Sequence, residues 1–195
     1  PLARLPGLNT GAAMSPDGST IALILSITGN PEIHTLDMKT GGARRLTNTP
    51  HAVEASPAWS PDGSQMVYVC DASGAPQLYI LDVATKRSRR LTYKGSENVN
   101  PSWSAQGLIA YATKRGGSYQ IAVIDITVNA EPEATITSGP DHETPSWAPD
   151  GRHIICSRSE GYGRSSLWVL DTKGDNPVRL FANQGNWLSP DWSFK

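Results

Sequence analysis

Pro57-Ala58-Trp59-Ser60-Pro61-Asp62-Gly63-Ser64 is the stretch whose repetition decides the fold. Its turn, Ser60-Pro61-Asp62-Gly63-Ser64, duplicates Ser15-Pro16-Asp17-Gly18-Ser19. Degraded copies stand at Ser104-Ala105-Gln106-Gly107 and Ala148-Pro149-Asp150-Gly151. Proline fixes φ, aspartate bonds its own backbone and glycine accepts φ > 0, so each copy is a turn with a mechanism. The tryptophan before the turn supplies a ruler. Trp59, Trp103, Trp147 and Trp192 are 44, 44 and 45 residues apart, and Met14 holds the same place 45 residues before Trp59.

Around this ruler the rest of each unit recurs. An apolar run follows the turn, at 21–25, 66–70, 108–112 and 154–156. A second run ends in Asp37, Asp82, Asp125 or Asp171, and a short third is centred on Leu46, Leu91, Ile136 and Leu180. Four short strands per unit of 40–45 residues is the period of a β-propeller blade. The fold class is therefore all-β: a β-propeller of four-stranded antiparallel blades, with four complete repeats. Strands are lettered A to D from the central channel outwards. Blades are expected at 9–50, 51–94, 95–139 and 140–182, with a closing strand at 187–194. Arg4-Leu5 resembles a strand D and 187–194 a strand A, so both ends read as cuts in a longer ring. A six-bladed ring would need roughly 264 residues, against 195 here. Open edges favour pairing between chains, so an edge-mediated homo-oligomer is an expectation.

Composition narrows the function. With 17 basic and 18 acidic residues the net charge is −1, which argues against nucleic acid or an anionic membrane surface as the main partner. No apolar run approaches the ~20 residues of a membrane helix, so no membrane insertion is expected. The repeated aspartates read as scaffold, since a single active site would not recur in every unit. Cys70 and Cys156 lie in apolar runs of nonadjacent blades and read as small core residues. No nucleophile elbow and no phosphate-binding loop occurs. The tryptophans read as filler between blades. The run Lys86-Arg87-Ser88-Arg89-Arg90 reads as a solvated edge that discourages strand pairing.

Strands A and C run one way and B and D the other, so the D-to-A and B-to-C loops share a side. Function in such a fold concentrates in loops at one face. The D-to-A loops, at 7–12, 48–56, 94–100, 139–144 and 182–187, carry Asn9, His51, Glu54, Glu97, Asn98, Asn100, Asp141, His142 and Glu143. Neither His51 with Glu54 nor His142 with Glu143 has zinc-site spacing. No metal or other cofactor is expected; a weak calcium in the central channel is the one exception that oxygen-rich loops admit.

The unit Pro57 to Ser64, followed by Tyr79-Ile80-Leu81-Asp82 and Arg90-Leu91-Thr92, resembles the repeat of TolB-type propellers. Similar units occur in the propellers of prolyl-oligopeptidase-like peptidases, tricorn-type proteases and some polysaccharide lyases. His142-Glu143-Thr144-Pro145-Ser146, Ser159-Glu160-Gly161-Tyr162-Gly163 and Pro190-Asp191-Trp192-Ser193 are similar to the C-terminal end of the TolB family. The resemblance covers essentially the whole chain and corresponds to the last four of six blades. It implies a non-enzymatic, periplasmic protein-interaction propeller of the Tol–Pal system, involved in protein transport and cell envelope integrity. Its channel-mouth loops would bind a Pal-type peptidoglycan-associated lipoprotein. The contact to TolA would belong to an α/β domain upstream. Binding positions carried over by the resemblance lie around Leu8-Asn9 and Glu54-Ala55. Leu8 stands where the family has a histidine and Ala55 where it has a threonine. Joint replacement of Glu54, Glu97 and Glu143 is expected to weaken binding and leave stability nearly unchanged. The alternative reading is a noncatalytic gating or scaffold propeller of a peptidase or polysaccharide lyase.

Overall fold

The computed structural model describes residues 7–128, 131, 134–174, 176–181 and 185–192. The chain divides into two compact units, Pro1–Tyr93 and Lys94–Lys195. Unit 1 holds two antiparallel four-stranded sheets: β1 (Asn9–Met14), β2 (Thr20–Leu25), β3 (Glu32–Asp37) and β4 (Ala43–Arg45), then β5 (Glu54–Trp59), β6 (Gln65–Cys70), β7 (Gln77–Asp82) and β8 (Ser88–Arg90). Unit 2 holds a sheet of β9 (Asn98–Trp103), β10 (Leu108–Arg115) and β11 (Ser118–Asp125), and one of β12 (His142–Trp147), β13 (His153–Gly161), β14 (Arg164–Asp171) and β15 (Val178–Leu180). Each sheet is an up-and-down meander in sequence order; three are the four-stranded blade that the period predicts, and the sheet of β9 to β11 has three strands among the described residues, where a fourth was expected. In chain order they are blades 1 to 4.

The local chemistry matches the sequence. Asp17 accepts bonds from Ser15 Oγ (2.6 Å) and Ser19 N (3.0 Å), and Asp62 repeats this with Ser60 Oγ (2.6 Å) and Ser64 N (3.0 Å). Those bonds, the serine hydroxyl first, pull both carboxyls down to about 2. These aspartates are turn builders. The second strands read as continuous apolar runs because both faces are covered: the last five residues of β2 and of β6 are all buried.

Within unit 1, Ala22, Ile24 and Ile33 of blade 1 pack against Met66, Tyr68, Cys70 and Leu81 of blade 2. Within unit 2, Ala110, Ala112 and Ile121 of blade 3 pack against Trp147, Ile154, Cys156 and Leu170 of blade 4. The tryptophans do more than fill. Trp59 Nε1 donates to Ala13 O at 3.0 Å, and Trp147 Nε1 donates to Ser102 O at 3.1 Å. Each pins its blade to the first strand of the blade before.

The fourth strands differ from expectation in register. β4, β8 and β15 end at Arg45, Arg90 and Leu180, so Leu46 and Leu91 follow a strand instead of centring one. Their amides still reach Ile33 O (2.9 Å) and Leu78 O (2.7 Å). The ladder then stops because a threonine takes over: Thr47, Thr92 and Thr137 Oγ1 each accept the next third-strand amide, of Ile33, Leu78 and Ile121, at 2.9 Å. Ile136 belongs to no strand among the described residues, although its amide donates to Ile121 O at 2.8 Å. Residues 187–192 also form no strand among those described, while Arg4, Leu5 and residues 193–194 lie outside the described residues.

One backbone feature repeats with the ruler. Gly11, Ser56, Asn100, Thr144 and Ser189 have φ of 62°, 49°, 51°, 50° and 49°. The first four lie in β1, β5, β9 and β12, where the register slips by a bulge. Four of the five are not glycine, and a left-handed residue with a Cβ is strained. Ser56→Gly is expected to leave stability unchanged or raise it. Ser56→Val should lower it by about 1–2 kcal/mol. Urea melts of the two variants check both.

Candidate functional site

Pairing places the loops that matter. Asn9 faces Leu25 and Leu25 faces Glu32, so the start of β1, the end of β2 and the start of β3 share one end of blade 1. The same holds for Glu54, Cys70 and Gln77 in blade 2. In each blade, the loop before the first strand and the loop between the second and third therefore emerge together, as the alternation of strand directions requires.

In unit 1 the sequence-predicted residues separate by burial. Leu8 is 48% exposed while its amide donates to Ser26 Oγ at 2.7 Å. Asn9 and His51 are exposed and Ala55 is half-buried. Glu54 is only 1% exposed. Its carboxylate accepts from Ile33 N (2.9 Å), Thr49 Oγ1 (2.9 Å) and Thr47 Oγ1. Beside it Glu32, fully buried, accepts from Thr28 Oγ1 (2.7 Å), Thr49 N (3.0 Å) and Arg45 Nη2. Burial pushes the Glu54 carboxyl up, with the Glu32 charge adding to it; on Glu32 the three donors outweigh burial and pull it down. Thr49 bonds both carboxylates, so the pair clamps the loop between blades 1 and 2 from within. Glu54 is thus a structural acid, and its replacement cannot be neutral for stability.

In unit 2, Asn98 is fully buried and its Nδ2 donates to Lys94 O at 2.8 Å. His142 is 6% exposed and its Nδ1 lies 2.8 Å from Pro140 O, so that nitrogen carries the proton. Burial pushes its pKa down. Glu54, Asn98 and His142 are the first residues of β5, β9 and β12, and all three shape loops from inside. Asn100 and Glu143 are half-buried; burial, then Asp141, pushes the Glu143 carboxyl up. Glu97 is 31% exposed along its side chain.

Glu97 also anchors a cluster that sequence reasoning did not assemble. Its carboxylate accepts from Lys114 Nζ at 2.9 Å and from Tyr119 Oη, and the Lys114 ammonium lies 5.3 Å from the Tyr119 ring centroid. Asp141 Oδ1 accepts from Tyr119 N at 2.7 Å. The cluster exists because β10 and β11 run to Arg115 and Ser118, two residues beyond their blade 1 counterparts, around a Gly116-Gly117 turn with both φ positive (61° and 94°). That Gly-Gly pair was the available signal. Among the described residues no three His, Cys, Asp or Glu side chains converge as metal ligands.

Meandering blades of three or four strands, tryptophan pins and loops gathered at one end of each blade define a β-propeller. The chain belongs to the TolB beta propeller domain family, whose sequence model matches residues 1–195. The Tol-Pal system protein TolB of Xanthomonas oryzae pv. oryzae is 33% identical over 102 residues, 52% of this chain and 23% of the relative. The crystal structure of TolB from Acinetobacter baumannii superposes with a TM-score of 0.83 at 31% identity, over 98% of this chain and 47% of that one. The chain thus spans about half of that protein. A puromycin hydrolase matches with a TM-score of 0.71 at 20% identity, over 88% of this chain and 28% of that one, a likeness of fold alone.

Proposed function

We propose that the chain is four blades of a six-bladed, non-catalytic Tol–Pal propeller that works in the periplasm and binds a Pal-type lipoprotein through its first-strand loops. The observation that carries this reading is the division of labour among the loop residues. Glu54, Asn98 and His142 hold the loops from within, whereas at the same strand ends Leu8, Asn9 and His51 are exposed and Glu97 and Glu143 are partly open to solvent. A loop whose buried polar groups are already satisfied is pre-organised, which reduces the ordering cost of binding. Recognition then needs no reacting group. A partner's polar side chains pair with the exposed amides and carboxylates while Leu8 supplies an apolar contact.

Calorimetric titration with the soluble domain of a Pal-type lipoprotein tests this. The 195-residue chain should bind, and joint Glu97→Ala and Glu143→Ala replacement should weaken binding by roughly tenfold. Unchanged affinity in the double variant would remove these residues from the site. No heat with the unaltered chain would remove the partner.

A further inference from the structure

Net charge hides an uneven distribution. No Asp or Glu occurs among residues 38–53 or 83–96, while Lys39, Arg44, Arg45, Lys86, Arg87, Arg89, Arg90 and Lys94 all fall there. Most of these cations stand on or beside β4 and β8, the fourth strands of the two blades of unit 1. The two strands are neighbours in space, since Lys86 Nζ donates to Arg45 O at 2.8 Å. Three carboxylates stand on the adjoining third strands, and each is engaged within its own blade. Glu32 holds Arg45, Asp37 accepts from Lys39 N (2.9 Å) and Thr40 N (2.7 Å), and Asp82 accepts from Thr85 N (2.7 Å).

Protection of a sheet edge does not account for this density. The matching strand of blade 4, β15, carries a single cation, Arg179, and Thr135-Ile136-Thr137 in blade 3 carries none. Two of the cations have internal work: Arg45 Nε donates to Thr47 O at 2.7 Å and Arg90 Nε to Thr92 O at 2.6 Å. Arg44, Arg87 and Arg89 are exposed and pair with no carboxylate among the described residues. Lys86 is held at φ 58°, where blade 1 has Gly41 at φ 71°. A lysine kept where glycine fits better is a strained choice that adds charge.

We infer that the fourth-strand edge of unit 1 is a docking surface for an anionic phospholipid membrane, to which the protein adsorbs peripherally. The cations lie on edge strands and a turn, beside the exposed side chains of Met38 and Tyr93, 38% and 67% accessible. Arg90 Cζ sits 4.6 Å from the Tyr93 ring centroid. Basic residues with an interfacial tyrosine suit a headgroup layer, where each cation adds to binding and salt weakens it. Met38 and Tyr93 supply the apolar, interfacial contact that a bilayer adds to the attraction of its headgroups.

Co-sedimentation of the 195-residue chain with phosphatidylcholine vesicles, with and without phosphatidylglycerol, tests the inference. Binding should require phosphatidylglycerol and fall when salt is raised to about 0.15 M. Joint Arg44→Gln, Arg87→Gln and Arg89→Gln replacement should cut partitioning by about a hundredfold. Joint Arg164→Gln, Lys173→Gln and Arg179→Gln replacement removes the same charge from unit 2 and should leave most binding intact. Equal loss in both triple variants, or no binding to phosphatidylglycerol vesicles, overturns the proposal. So does tighter binding to polyglutamate or duplex DNA than to the vesicles, which would make the surface one for an acidic protein or a nucleic acid. Circular-dichroism melts confirm that both variants are folded.

Discussion

Trp147→Ala will lower the stability of unit 2 by about 3–5 kcal/mol. Trp147 is 3% exposed and is the largest buried side chain of the core between blades 3 and 4, which it shares with Ala110, Ala112 and Ile121 of blade 3. Two of those three neighbours are alanines, so they cannot extend into the space left behind. Truncation also leaves Ser102 O without the indole N–H that reaches it at 3.1 Å. Trp147→Phe separates the two contributions, keeping most of the apolar volume and losing the hydrogen bond, for about 1–2 kcal/mol. Trp59 makes the matching bond to Ala13 O but is only partly buried. Trp59→Ala should therefore be the milder change. Urea denaturation of the three variants gives the order, and a larger loss at Trp59 would contradict the packing described.

Glu54→Ala will destabilise unit 1 by about 3 kcal/mol. The loss arises from the hydroxyl donors left behind, because Thr47 Oγ1 and Thr49 Oγ1 point at a carboxylate sealed from water, while Ile33 N keeps Thr47 Oγ1 as an acceptor. Glu54→Gln keeps an acceptor oxygen and the side-chain volume, and should lose much less. Its pH dependence has a definite sign. Burial, aided by Glu32, raises the Glu54 carboxyl above 4.5 in the folded protein. The stability it contributes is full below 4.5 and is lost as pH rises through the folded value. Glutamine does not titrate, so the difference between Glu54→Gln and the unaltered chain should move in favour of glutamine as pH increases. Thermal melts across that range check it; a difference that moves the other way would mean that the folded protein prefers the ionised acid.

The repeat made the fold legible. A turn that needs Asp17 or Asp62 bonded to its own serines is recognisable from five residues, and a tryptophan at fixed spacing survives even where the turn has decayed to Ser104-Ala105-Gln106-Gly107. Strand ends were less legible. Leu46 and Leu91 looked central to a strand because they are apolar and buried, but Thr47 and Thr92 already end the ladder by accepting an amide in its place. The apolar run of blade 3 ends at residue 112 because Thr113-Lys114-Arg115 is polar, and β10 continues through it.

At the candidate site the ambiguity was of another kind. A polar residue opening a strand looks the same whether its partners are solvent or protein. For Glu54 the deciding partners, Thr47 and Ile33, are 7 and 21 residues away. For Asn98 the partner is the Lys94 carbonyl, and for His142 that of Pro140. Spacing alone cannot show that these side chains turn inward. The cluster of Glu97, Lys114, Tyr119 and Asp141 was hidden for the converse reason, since it gathers residues from two strands and two loops that only the long β10–β11 hairpin brings together.

On the proposed reading, the end of each blade bearing the first-strand loops recognises the partner, and the opposite end, with its Ser-Pro-Asp-Gly turns, is scaffold. Amide hydrogen exchange with and without the soluble domain of a Pal-type lipoprotein measures this directly. Added protection is expected at residues 7–12, 48–56, 94–100 and 139–144, with the turns at 15–19 and 60–64 unchanged. Protection centred on those turns would contradict it.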